Sequence, residues 1–192
     1  MFSKKILSAF RIGLLTAGVL AAAVAQGQVA PSAFKEGESL RLGIEFSNMQ
    51  AGFPYGSDLR LSGMGVFGTL NWKYHLALDG DARFLRFTSY HGETENNILG
   101  GPRYTFLNNA KWRPYAAFKM GVVKITYPYG LGYCGCFALA PSGGLDYRIN
   151  SKWSLRGEYQ YQFLPDSPSF TNEPQYVMKP NGFSTGISYR IF

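Results

Sequence analysis

Beyond its first two dozen residues the chain has no run approaching the ~18 uninterrupted apolar residues of a membrane-spanning helix. It carries only two cysteines and two histidines in 192 residues. The first shortage excludes a helical membrane domain. The second leaves little material for a metal cage, which needs more ligands than one cysteine pair. Lys and Arg exceed Asp and Glu, giving a formal charge of +7. They form no cluster of the kind that marks nucleic-acid binding, and loop and interior charges account for the excess.

What is present begins at the N-terminus. Lys4 and Lys5 precede an apolar run from Ile12 to Val24, and Ala23-Val24-Ala25 has the small-x-small form of a signal-peptidase site. That layout predicts a signal peptide over residues 1–25, cleaved between Ala25 and Gln26. A short extension over 26–38 and one domain over 39–192 follow. Export without a helical anchor leaves two classes, a secreted soluble protein or an outer-membrane barrel.

Trp153 to Phe163 decides between them. Trp153, Leu155, Gly157, Tyr159, Tyr161 and Phe163 alternate with Ser154, Arg156, Glu158, Gln160 and Gln162. A period of two is a β-strand with one apolar and one polar face. Its length suits a tilted bilayer crossing, and its aromatic face suits lipid. Eight such segments are expected at 39–48, 60–72, 75–90, 96–107, 113–126, 136–149, 152–163 and 181–192. In the first, Leu40, Leu42, Ile44 and Phe46 oppose Arg41, Gly43, Glu45 and Ser47. The third sets Leu76, Leu78, Gly80, Ala82 and Phe84 against Ala77, Asp79, Asp81 and Arg83. Gly63, Gly65 and Gly68 blur the phase of the second, where Phe67 fits either face. A charge on the lipid face near the midplane costs ~2–4 kcal/mol, so the charged sets are expected inside.

The connections alternate in length. Short ones fall at Asn71–His75, Asn108–Arg113 and Asn150–Lys152; longer ones at Met49–Leu59, His91–Asn96, Tyr127–Gly135 and Leu164–Pro180. Trp72, Trp112 and Trp153 all lie beside the short turns, each with Lys73, Lys111 or Lys152 next to it. One interfacial girdle of indoles explains that spacing. The expected fold is therefore all-β, an eight-stranded antiparallel up-and-down transmembrane β-barrel with short periplasmic turns.

The strands Gly101-Pro102-Arg103-Tyr104-Thr105-Phe106, Gly143-Gly144-Leu145-Asp146-Tyr147-Arg148 and Trp153 to Phe163, with the terminal Phe192, resemble the small eight-stranded outer-membrane barrels. That family includes the OmpA transmembrane domain, OmpX and the opacity proteins. The resemblance covers 39–192 and implies outer-membrane localisation and insertion by the assembly machinery, which reads the last strand. One departure is visible: Ile187, Tyr189 and Ile191 share a phase, and Phe192 falls outside it.

The expected interior set is Arg41, Glu45, Asp79, Asp81, Arg83, Arg103, Lys119, Asp146, Arg148, Arg156 and Glu158. Charges of both signs in an eight-stranded barrel can pair across an interior that side chains nearly fill. Asp79 and Asp81 share a strand face, but no nucleophile or histidine is placed beside them. His75 falls in a short turn and His91 opens a long loop, at opposite ends of the barrel. No catalytic, cofactor or metal residues are assigned. Cys134 and Cys136 are expected to form a disulfide within the third long loop, because an exported chain meets an oxidising compartment. The expected protein is monomeric and non-enzymatic, with a structural or surface-interaction role, outer-membrane lipids around it and no nucleic-acid partner. A narrow porin-like channel, a secreted lipocalin-like binder and a lipid-modifying barrel hydrolase stand as alternatives. No ligand is assigned to the long loops.

Overall fold

Each alternating segment can satisfy its backbone in a membrane only by pairing on both edges, and eight of them close on one another. The computed structural model describes residues 38–51, 60–73, 75–87, 92–107, 110–127, 132–167 and 177–192. The expected signal peptide, the extension up to Gly37 and His91 lie outside the described residues. The strands are β1 (Ser39–Gln50), β2 (Arg60–Asn71), β3 (Leu76–Phe87), β4 (Thr94–Thr105), β5 (Trp112–Thr126), β6 (Tyr133–Arg148), β7 (Trp153–Tyr161) and β8 (Asn181–Arg190). They form one closed barrel in chain order, every neighbouring pair antiparallel. Closure runs from Arg41 opposite Arg190 to Gln50 opposite Asn181. A closed barrel leaves no unpaired edge for the bilayer to solvate.

The alternation is kept except in β2, where Leu61, Ser62 and Gly63 are buried in succession. Leu42, Ile44 and Phe46 of β1 are exposed to the surroundings, while Arg41, Glu45 and Ser47 are buried inside. Phe67 of β2 points inward, and Met64, Val66 and Leu70 point out. What fixes this phase is room on the neighbouring strand, where Gly43 is the ladder partner of Phe67. A Cβ on Gly43 would sit 2.5 Å from the Phe67 ring, so glycine there opens the lane the ring occupies. The β2–β3 register shifts between Ser62 and Gly63, a bulge at the loop end.

The short turns are closed by their own residues. Asn150 Oδ1 accepts from the backbone N–H groups of Lys152 at 2.9 Å and Trp153 at 2.8 Å, the Asx pattern that tightens a turn. Trp72, Trp112 and Trp153 are all exposed at this end of the barrel. Trp112 meets Tyr147 at 4.5 Å between ring centroids, and Trp153 meets Tyr189 at 4.9 Å. Such pairs give the indoles a fixed place in a belt.

Most strand boundaries shift by one to three residues from the sequence expectation, and two of the shifts have consequences. β6 begins at Tyr133, so Cys134 and Cys136 lie on the strand rather than in the preceding loop. Pairing of Thr126 with Tyr133 and of Ile125 with Cys134 extends the β5–β6 hairpin beyond its neighbours. At the other end, β8 stops at Arg190, with Ile191 still donating its N–H to Leu40 O at 2.8 Å. Phe192 follows the strand. Deleting Phe192 is therefore expected to lower surface levels in cells less than Ile187→Lys, which puts a charge on the lipid face. Loss of assembly on deletion, with Ile187→Lys tolerated, would show that a terminal aromatic is read whatever its phase.

Candidate functional site: the barrel interior

Alternate residues of all eight strands converge on the interior, and their chemistry divides it into two layers. The layer toward the short turns and the middle is ionic. Glu45, Asp79, Asp81, Asp146 and Glu158 face Arg83, Arg103, Arg113, Lys119 and Arg156, a balanced set of carboxylates and cations. Arg83 Nε donates to Glu45 Oε1 at 2.6 Å, Nη2 to Glu158 Oε1 at 3.2 Å, and Nη1 to Gln160. Lys119 Nζ bridges Asp81 Oδ2 and Glu158 Oε1, each at 2.7 Å, and lies 3.3 Å from Asp79 Oδ2. Arg156 forks onto Asp79, with Nη2 to Oδ1 at 2.9 Å and Nη1 to Oδ2 at 3.2 Å, and reaches Thr69 Oγ1 at 2.6 Å. Arg103 bonds Asp146.

Aromatic rings complete this layer. The Arg156 guanidinium sits 4.0 Å over Phe67 and that of Arg103 3.5 Å over Tyr115. Tyr115 donates its hydroxyl to Glu158 Oε2 at 2.7 Å. A Cβ on Gly144 would fall 2.5 Å from Tyr115 Cζ, so that glycine makes the space for the ring. Bringing buried charges out of water costs several kcal/mol per ion, and only near-complete pairing of this kind offsets it.

The layer toward the long connections is apolar. Met49, Leu61, Leu85, Val123, Ile125 and Ala138 are buried together with the Cys134–Cys136 disulfide. Leu164 and Met178 join them; these two residues are bridge partners at the two ends of the longest connection. Leu164 N–H donates to Met178 O at 3.1 Å, and Leu139 and Phe163 exchange backbone bonds at 3.0 and 2.8 Å. Leu164 and Met178 thus turn inward at the connection's two described ends. Beside this layer Glu93, in the connection before β4, is buried, and burial together with the neighbouring Glu95 raises its carboxyl to about 7.

All eleven charged residues expected inside lie on inward positions, and most are joined in the ionic layer. Arg41 and Arg148 are instead at its turn-side margin. Asp79 and Asp81 are each bound by Lys119 and are not a free carboxylate pair. His75 Nδ1–H donates to Thr105 O, 2.7 Å away, and the ring stacks on Tyr104. The sequence reading missed Tyr115, Arg113 and Thr69; period two from Lys119 reaches the first two, while Thr69 lies on β2, whose phase the glycines blur. It also missed the apolar layer. Its signal was the doubling of apolar residues at Phe84-Leu85 and Val122-Val123, where the inward position is no longer polar.

A closed antiparallel barrel with an apolar exterior, an indole belt and a charged interior defines the transmembrane β-barrel class. The chain belongs to the outer membrane protein β-barrel domain family, whose model matches residues 12–190. Among solved structures it is similar to the neisserial surface protein A, NspA, at 12% identity and a TM-score of 0.56, over 80% of this chain and 97% of that one. It is likewise similar to the N-terminal β-barrel domain of Pseudomonas aeruginosa OprF, at 12% identity and a TM-score of 0.55, over 80% and 98%. At such identities the likeness is one of fold. Comparison with curated proteins gives no match. The protein is an outer-membrane protein.

Proposed function

We propose that this is a monomeric, non-enzymatic outer-membrane barrel whose interior is closed, with a structural or surface-interaction role carried by its long connections. The observation that carries the reading is the double filling of the interior. Arg83 and Lys119 are fully buried among carboxylates, and Leu164 and Met178 are buried in the apolar layer above them. Eight strands give an interior just wide enough for side chains to fill. The carboxylates that would tempt a hydrolytic reading are occupied by Lys119, Arg103 and Arg156. The short turns with their indole belt face the periplasm, and the long connections, where binding to a rigid scaffold concentrates, face outward. Outer-membrane lipids surround the wall, and the assembly machinery engages β8.

In planar bilayers the purified protein is expected to show little or no steady conductance. Large, stable, ohmic steps would overturn the closed interior and favour a narrow channel.

A further inference from the structure

We propose that the turn-side mouth of the barrel is a binding site for a phosphate-type oxyanion, gripped by Arg41 and Arg113. Both side chains are inside the barrel wall, 8% and 6% exposed. Arg41 Nε and Arg113 Nε and Nη2 have no hydrogen-bond acceptor. Leaving a buried charged donor unmatched costs more than leaving a neutral one so, and these positions call for an acceptor. The ionic layer does not supply it. Among the described residues Arg41 has one side-chain partner, the neutral Ser154 Oγ at 3.3 Å. The carboxylate nearest Arg113 is Asp146, whose Oδ2 is 4.0 Å from Nη2 and is already bonded to Arg103.

Both arginines lie near the turn-side ends of their strands, Arg41 on β1 and Arg113 on β5. Ser154, which holds Arg41, stands opposite Arg148 on β6. Two residues back on the same inward face is Asp146, opposite Arg113 on β5. Arg190 stands opposite Arg41 on β8, and both Arg148 and Arg190 are close enough to Arg113 to repel it. Arg148 is half-buried and Arg190 exposed, so the cluster opens to solvent at the turn side. Arg41, Arg113, Arg148 and Arg190 together give this mouth a strong positive potential, and planar guanidinium forks match the oxygens of a phosphate group. A free phosphate and one borne by a lipid headgroup are recognised by the same chemistry.

The test uses the full chain purified from outer membranes in an uncharged detergent. Inorganic phosphate and pyrophosphate are titrated calorimetrically against sodium chloride at matched ionic strength. Saturable binding beyond that of chloride is expected, about ten-fold weaker in Arg41→Gln and in Arg113→Gln, the worth of one charge-assisted bond. Lys152→Gln, on the outer turn, is expected to leave it unchanged. Heat-modifiable gel mobility reports whether each variant is folded. If neither variant folds, the wild-type titration against chloride decides alone. Repeating the titration in nanodiscs of phosphatidylcholine, with and without phosphatidylglycerol, separates the sources. Competition by phosphatidylglycerol assigns the site to a headgroup, and its absence assigns it to the free anion. No saturable binding beyond chloride, or equal binding in folded Arg41→Gln and Arg113→Gln, overturns the proposal.

Discussion

Glu158→Ala is expected to remove about 3–5 kcal/mol of stability, the largest single effect in the ionic layer. Glu158 Oε1 accepts from Lys119 at 2.7 Å and from Arg83 at 3.2 Å, and Oε2 accepts from Tyr115 at 2.7 Å. Truncation strands two fully buried cations and a buried hydroxyl at once. Lys119 retains Asp81 and Asp79, and Arg83 retains Glu45 and Asp81, so the layer is weakened rather than abolished. Glu158→Gln keeps an acceptor but loses the charge, and is expected to fall between wild type and Glu158→Ala. Urea unfolding in lipid vesicles measures the series. A loss under about 1 kcal/mol for Glu158→Ala, within the range of an exposed ion pair, would show that the network does not hold the barrel together.

The second large effect is on the opposite face. Ile44→Arg is expected to cost ~2–4 kcal/mol, because Ile44 lies halfway along β1 with its side chain outward. Its ladder partners Val66 and Ile187 continue the apolar surface on both sides, so a guanidinium there has no polar neighbour on the lipid side. Leu155→Arg is expected to cost less. Leu155 is two residues from Trp153, at the indole belt, and an arginine there can reach the interface. Folding yields and unfolding free energies in vesicles compare the two variants. Equal costs at Ile44 and Leu155 would contradict the depth assigned to the belt. Ser154 is no neutral interior control for such a series, because its hydroxyl already holds Arg41.

Most of the fold was legible along the chain because a barrel strand states its own geometry. Leu42, Ile44 and Phe46 against Arg41, Glu45 and Ser47 fix which face is which within one segment, whatever its partners do. The same local rule placed Trp72, Trp112 and Trp153 at one end. It failed where the local signal was weak. The glycines of β2 left Phe67 without a face until Gly43, on another strand, supplied its space. Cys134 and Cys136 looked like loop residues because the β5–β6 hairpin runs past the other strands, and hairpin length depends on pairing rather than on any one residue.

By itself, then, the sequence determined the all-β class, the inward and outward sets and the end of the barrel that carries the indole belt, since each follows from period two and turn spacing. Tertiary structure alone decided which inward groups meet. Arg156 and Asp79 are 77 positions apart along the chain, and they touch only because closure of β1 on β8 sets the stagger of every strand around the interior. The same stagger leaves Arg41 and Arg113 at the turn-side mouth with donors that no carboxylate of the ionic layer hydrogen-bonds. It also brings Leu164 and Met178 together with Met49 and Leu85 in the apolar layer. Contact across a barrel is a property of its shear, and shear is not written in any single strand.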